Sequence, residues 1–241
     1  MAIAVTALDT QKGSGSSITS DSVSVANGDY LLVGVGGGKD GALSNEVTAV
    51  AVNGNALTKL VESIPVPNFD GRDRCHSSIW GIKVTSSITG TIVATCGGGS
   101  NNTTLWLSAI KATGFDTATP IGDTDSIVRG NGSGDPRTLT LTTVSGDVVF
   151  GALAFDCSFN QTVTGDGAQT ELYNAGVAAD EVGFATAYKT ASGTSTTVSW
   201  TASIDWTFRL VAVVLSQSAG GGGGDSLLKS PMVWRQPVVA Q

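Results

Sequence analysis

The chain is poor in the residues that carry most protein chemistry. Its 241 residues include one histidine and three cysteines, and only 14% of them are charged and 6% aromatic. Cys75, Cys96 and Cys157 show no CxxC spacing and no accompanying histidine cluster, so neither a disulfide framework nor a zinc site is indicated. We expect these cysteines to be free thiols that are buried in the fold.

Positive charge and long apolar runs are also scarce. The formal net charge is -7 and no stretch concentrates lysine and arginine, which disfavours a nucleic-acid partner because phosphate contact needs a basic surface. No apolar run approaches the roughly 20 residues that cross a bilayer, which argues against membrane insertion. Residues 1–10 lack a basic segment followed by an apolar one, so no signal peptide is predicted and cytoplasmic synthesis is expected.

Catalytic arrangements are weakly represented. A Ser-His-Asp or Cys-His site would have to use His76, and no Gly-x-Ser-x-Gly turn accompanies it. A histidine in a surface loop or at a strand edge is the favoured interpretation. Paired carboxylates for glycoside cleavage could be Asp70 with Asp73, or Glu171 with Glu181, but turns explain most acidic residues here. We therefore expect no enzymatic activity and no catalytic residues.

The residues that are abundant indicate an all-β protein. Glycine occurs 32 times, and threonine, serine and valine dominate much of the remainder, as is typical of a β-sandwich with many turns. Residues 22–25, 138–143 and 194–201 alternate or enrich β-branched side chains between turn-forming residues. No segment combines a helical apolar period with helix caps, so little helix is expected.

Four sequence elements recur in the same order, which indicates an internal repeat. The matched pairs are 26–34 with 144–151, 52–60 with 163–172, 83–95 with 189–201, and two strands that begin at Trp106 and Trp206. They predict half-repeats of about 1–113 and 114–218. Because the join at 114–120 is short and partly apolar, we expect one antiparallel sandwich of jelly-roll type over 1–218, with each half contributing strands to both sheets.

A glycine hinge at 219–224 and an apolar tail at 225–241 follow the predicted sandwich. Trp234 stands between Pro231 and Pro237, away from any local core, and is predicted to be an anchor that is buried against a partner. The hinge contains Gly220, Gly221, Gly222, Gly223 and Gly224. The predicted partner-binding residues are Leu227, Leu228, Met232, Val233, Trp234, Arg235, Val238 and Val239.

Calcium is the one metal that the sequence suggests, and no other cofactor is indicated. Asp116, Asp123 and Asp125 cluster in the segment that joins the halves, and Asp40 lies in a glycine-rich loop. Carboxylate oxygens are ligands that calcium prefers. The alternative is that these aspartates cap turns, and the twelve-residue EF-hand pattern is absent.

The order of these elements resembles a β-sandwich domain of bacteriophage virion proteins and bacterial surface proteins. The resemblance covers about residues 1–218 and includes the joining segment Gly114-Phe115-Asp116 through Pro120-Ile121, which matches that family's Gly-Val-Asp-x-x-x-Pro-Ile except for Phe115. It implies a virion location after synthesis in the host cytoplasm. The implied role is a capsid decoration, turret, tail or fibre-base subunit that binds other virion proteins and itself, as a homo-oligomer.

The alternative function is recognition of a host-surface glycan. Loops at 63–77 and 174–181 would then carry specificity, because loops do most of the recognition on rigid β scaffolds. Aromatic side chains could form a sugar platform, but the sequence context favours a core position for four of the five tryptophans. These are Trp80, Trp106, Trp200 and Trp206.

Overall fold

The protein is described by a computed structural model over residues 2–38, 46–63, 75–97, 104–129, 137–156, 163–177, 182–201 and 207–218. These residues form seventeen β-strands and no helix, which confirms the predicted all-β class. No described segment is a helix long and apolar enough to cross a membrane.

The strands follow one another along the chain, and two of them are only two residues long. They are β1 (Ala4–Ser14), β2 (Ser17–Val25), β3 (Tyr30–Gly38), β4 (Val47–Val52), β5 (Asn55–Ala56), β6 (Thr58–Ser63), β7 (Cys75–Lys83), β8 (Ile88–Cys96), β9 (Thr104–Thr113), β10 (Ile121–Arg129), β11 (Arg137–Thr142), β12 (Val148–Asp156), β13 (Thr164–Gly165), β14 (Thr170–Val177), β15 (Val182–Thr190), β16 (Ser195–Thr201) and β17 (Phe208–Leu215).

The two halves of the chain build the same pair of antiparallel sheets. The first half, β1 to β9, forms a five-stranded sheet in the order β1-β9-β3-β7-β6 and a four-stranded sheet β2-β8-β4-β5. The second half, β10 to β17, forms β10-β17-β12-β15-β14 and β11-β16-β13. The orders correspond strand for strand apart from β5, so the second half repeats the strand arrangement of the first.

The expectation that each half contributes strands to both sheets of one sandwich is wrong, because every described sheet takes its strands from one half. The physical reason lies in the apolar patterns. β3 and β17 are buried at every residue, which is the pattern of a strand covered on both faces. β11 alternates buried and exposed residues, as a strand with one solvated face does.

Three apolar cores therefore separate four layers of sheet. One core lies inside the first half and includes Leu31 and Trp80, and another lies inside the second half and includes Val149 and Trp200. The third lies between the two five-stranded sheets and includes Leu32, Trp106 and Phe184. Because this middle core is continuous across the halves, the two sandwiches stack into one body.

Matching Gly-Asp turns fix the start of the central strand in each half. Gly28 and Gly146 have φ values of 90° and 96°, a left-handed region that glycine adopts without strain. The next residue caps the turn in both cases: Asp29 accepts from the N–H of Ala26 at 3.0 Å, and Asp147 accepts from the N–H of Val144 at 2.8 Å. The repeat thus extends to individual hydrogen bonds.

The edges of the two five-stranded sheets are irregular, and their interiors are regular. Each of the four described edge strands, β1, β6, β10 and β14, has a register shift against its neighbour. The four interior pairings continue without a shift. Bulged edges are poor templates for the addition of a further strand, so these edges do not favour sheet-to-sheet association.

Candidate functional site

The stacked sandwiches have two chemically different ends. The turn end holds the capping residues Asp29 and Asp147, and there the rings of Tyr30 and Phe115 meet with centroids 5.4 Å apart. At the opposite end, the loop end, the thiol of Cys75 lies 3.8 Å from the carbonyl of Ala154. Both halves therefore point their central strands in the same direction along the body.

The loop end is where most long connections leave the sheets. Residues that flank them pair with one another at that end, as Gly38 does with Cys75 and Thr104, and Phe155 with Phe208. The segments 39–45, 64–74, 98–103, 130–136, 157–162, 178–181 and 202–206 all start from it. These segments lie outside the described residues, and they include most of the predicted glycan loops 63–77 and 174–181.

The last described residues run along the turn end. The N–H of Ser216 donates to the carbonyl of Pro120 at 2.8 Å, and the N–H of Ser218 donates to the carbonyl of Gly114 at 3.2 Å. Phe115 and Gln217 form a β-bridge between them. The chain thus leaves the sandwich at the end opposite to the loops. The hinge Gly220–Gly224 and all eight predicted tail residues, from Leu227 to Val239, lie outside the described residues.

A cavity of about 500 Å³ opens at the turn end of the second half. We call it the carboxylate pocket, because three aspartates line it. Val144 also lines it and is 58% exposed, unusually high for a large apolar residue. The lining residues are Asp116, Thr119, Gly122, Asp123, Thr142, Thr143, Val144, Asp147, Val214, Ser216 and Gln217.

The structure brings two of the three predicted calcium ligands to this pocket, and their carboxylates already have partners. Asp116 accepts from the N–H of Ala118 at 2.9 Å, and Asp123 accepts from the N–H of Thr142 at 2.8 Å. Asp125 is not among the lining residues. The described residues contain no group of three His, Cys, Asp or Glu side chains that could hold a metal ion, and Asp40 lies outside them.

Asp125 has a structural counterpart that explains it without a ligand. The registers place Asp9 opposite Ala109 and Asp125 opposite Ala212, at equivalent positions of the two halves. Each accepts from the N–H of the next residue, at 2.8 Å for Asp9 and 2.7 Å for Asp125. The repeat of this hydrogen bond indicates a role in shaping the edge strand.

His76 is neither in a surface loop nor at a strand edge, so that prediction is wrong. It lies in β7, between β3 and β6, and only 2% of it is exposed. Neither ring nitrogen has a hydrogen-bond partner among the described residues. Burial lowers the pKa of His76 to about 4, and the charge of Glu46 only partly opposes this. The imidazole is therefore neutral at physiological pH.

Among the described residues, other groups that could act as nucleophiles or acids are hydrogen-bonded or protonated. The hydroxyl of Ser77 donates to the carbonyl of Ala152 at 3.1 Å. Cys75 and Cys96 are buried as expected, and burial raises the pKa of Cys96 to about 12. Of the predicted acid pairs, Glu171 accepts from the amide of Asn174 at 2.8 Å. Asp70, Asp73, Glu181 and Cys157 lie outside the described residues.

The tryptophans that the structure describes belong to the cores, as predicted. Trp80 is 5% exposed and Trp106 and Trp200 are fully buried, so none of the three forms a sugar platform. Trp206 and Trp234 lie outside the described residues.

The carboxylate pocket itself was missed by the sequence reasoning. The sequence carries no direct signal for it, because Gly28 and Gly146 are 118 residues apart whereas Lys111 and Val214 are 103 apart. The correspondence comes from the strand registers, in which Lys111 pairs with Leu31 and Val214 with Val149. Comparison with protein-family models and with curated protein sequences finds no match for this chain.

Proposed function

We propose that this protein is a non-enzymatic structural protein of a bacteriophage virion, a capsid decoration, turret, tail or fibre-base subunit, that binds neighbouring subunits through residues 225–241. The observation that carries the proposal is that the two ends of the stacked sandwiches differ. Ser218 precedes the hinge and is held at the turn end, whereas the long connections start from the loop end. A subunit with this polarity can attach by one end and present the other.

The edges of the sheets support attachment through a separate segment. All four edge strands of the five-stranded sheets have register shifts, which disfavours association by strand addition. Two backbone groups of β16 form hydrogen bonds with side chains rather than with a neighbouring strand. Gln169 accepts from the N–H of Ser199 at 2.6 Å, and Lys189 donates to the carbonyl of Thr197 at 3.2 Å. An apolar tail that follows a run of five glycines provides an alternative route to assembly.

The test is incorporation of the chain into particles. Full-length protein should incorporate, whereas a chain that lacks residues 220–241 should remain folded and stay outside the particle. Trp234→Ala should weaken attachment by about 2 kcal/mol or more, as expected for an interface hot spot. The matched control is Trp80→Phe, which alters a core tryptophan and leaves the tail intact. Incorporation of the truncated chain at the wild-type level would reject the proposal.

The loop end favours one other function, binding of a host-surface glycan by the connecting segments. Seven such segments start from one end of a rigid body, which is the arrangement that recognition loops use on β scaffolds. Specific glycan binding by the full-length chain, lost when 64–74 is exchanged and retained when the tail is removed, would favour this function over attachment through the tail.

A further inference from the structure

One cation beside the Gly-Asp turn of the first half is replaced by an apolar residue in the second. In the first half, the ammonium of Lys111 lies 3.8 Å from Asp29 and donates to the carbonyl of Ser24 at 3.3 Å. Lys111 pairs with Leu31 in the β3–β9 register, and at the equivalent place in the β12–β17 register Val214 pairs with Val149. The second half therefore lacks the ammonium group that neutralises the turn in the first.

The carboxylate pocket lies where that ammonium would be. Asp147 is the counterpart of Asp29, and both it and Val214 line the pocket. Asp123 and Asp116 add two further carboxylates, and the described lining includes no lysine, arginine or histidine. In the first half the ammonium of Lys111 thus fills the space beside Asp29, and in the second half the equivalent space beside Asp147 is the open pocket.

The carboxylate of Asp116 is held in its charged form by its neighbours. The N–H of Ala118 is the main cause that holds the pKa of Asp116 below its ordinary value, followed by the hydroxyl and N–H of Thr119. The charge of Lys83 contributes least, and its ammonium donates to the carbonyl of Thr117 at 2.9 Å. A basic side chain from outside would therefore meet the charged carboxylate of Asp116 in a pocket that also contains the exposed Val144.

We propose that the carboxylate pocket binds a basic side chain from residues 225–241 of a second copy of this chain. This inference rests on the proposed function, because it names the acceptor of the tail. The tail contains two basic residues, Lys229 and Arg235, and one acidic residue, Asp225. Its charge complements the pocket, and its apolar residues complement Val144.

The position of the hinge favours a reciprocal exchange between two copies. Gln217 lines the pocket, and the five glycines begin three residues later. The described chain therefore ends at Ser218, beside its own pocket, and two copies that meet turn end to turn end bring each Ser218 close to the pocket of the other. Ser218 and Lys229 are eleven residues apart and can span at most about 40 Å, so Lys229 can reach across the gap between two copies. The result is a two-fold pair in which both contacts are the same.

The experiment is sedimentation equilibrium of the full-length chain, with thermal melting to verify folding. Val214→Lys should place an ammonium in the pocket as Lys111 does in the first half, and it should weaken the pair about tenfold or more, the size of a charged hydrogen bond. Lys229→Gln with Arg235→Gln should do the same. Val214→Met has a similar length without the charge and should leave the pair intact.

Asp123→Asn is a second test that does not alter the core. Its amide oxygen can still accept from the N–H of Thr142, so the fold is retained while one charge is removed and the pair weakens. Unchanged association in both Val214→Lys and Asp123→Asn would overturn the pocket as acceptor. If the tail is nevertheless required for particle incorporation, the proposed function stands and only the pocket is rejected as the acceptor of the tail. A wild-type chain that stays monomeric at every concentration would also overturn the inference.

Discussion

At one equivalent cross-strand pair, the two halves take the ring from different strands: the first half from β7, beside its central strand β3, and the second half from its central strand β12. In the first half, Gly37 on β3 pairs with His76 on β7, and a Cβ atom at Gly37 would lie 2.8 Å from the imidazole. In the second half, Phe155 on β12 pairs with Gly183 on β15, where a Cβ atom would lie 2.2 Å from the phenyl ring. Each ring therefore lies over the glycine of the neighbouring strand.

This exchange shows what the repeat preserves. Strand order and turn hydrogen bonds are kept, whereas the identity of a cross-strand pair is free as long as one large and one small residue share the space. The ring that was chosen then gives each half its own chemistry. The first half has a buried titratable group at this position, and the second half has an inert one.

The largest expected effect is acid destabilisation through His76. Its folded pKa of about 4 lies below the ordinary 6.5, so between these values the unfolded chain binds more protons than the folded one. Its contribution to stability is complete above pH 6.5 and falls as the pH is lowered, by about 3 kcal/mol at pH 4. Urea unfolding across this range measures it.

His76→Phe is the matched control, because it gives the first half the ring type that the second half uses. Its free energy of unfolding should depend less on pH between 4 and 6.5 than that of the wild type. Parallel pH profiles for the two proteins would show that His76 does not titrate in this way.

A smaller effect is expected at Gly36, where the halves contact each other. The equivalent residue of the second half is Ala154, but a Cβ atom at Gly36 would lie 2.3 Å from the ring of Phe184. Gly36→Ala should therefore lower the free energy of unfolding by about 2 kcal/mol through overpacking. Gly34→Ala is the control, because its nearest contacts would be 3.3 Å, and it should cost clearly less. Equal losses in urea unfolding would contradict this account of the middle core.

Much of this fold was accessible from sequence. The all-β class followed from β-branched strands between turns, and the repeat from the Gly-Asp turns at Asp29 and Asp147. The four layers were missed although their signal was present, since continuous apolar strands such as β3 and β17 indicate burial on both faces. The short, partly apolar join at 114–120 favours a single sandwich, and the continuous burial of β3 and β17 outweighs it.

Register and burial were harder to predict, because they depend on contacts between distant strands. Spacing alone matched Lys83 with Lys189. The backbone bonds from Val84 to Asp29 and from Ala191 to Asp147 instead make Lys83 the counterpart of Thr190, one residue away. His76 was misplaced because polar neighbours suggested a loop, and its packing against Gly37 is a tertiary contact. The carboxylate pocket depends on which residue replaces Lys111, which becomes visible only when the halves are aligned.

The smallest expected difference is at the equivalent edge residues Asp9 and Asp125. Asp9 accepts from the N–H groups of Thr10 and Asp21. In the second half these two kinds of bond are divided: Asp125 accepts from the N–H of Ser126, and Asp123 accepts from the N–H of Thr142 in β11.

Asp9→Ala should therefore lower the free energy of unfolding by about 1 kcal/mol, the typical net value of a hydrogen bond, and Asp125→Ala by less. Urea unfolding of both variants measures the difference. If Asp125→Ala proved the more damaging change, its carboxylate would have a function beyond the edge, and the calcium hypothesis would regain support. One carboxylate in the first half accepts the hydrogen bonds that two carboxylates accept in the second, and the additional one, Asp123, also lines the carboxylate pocket.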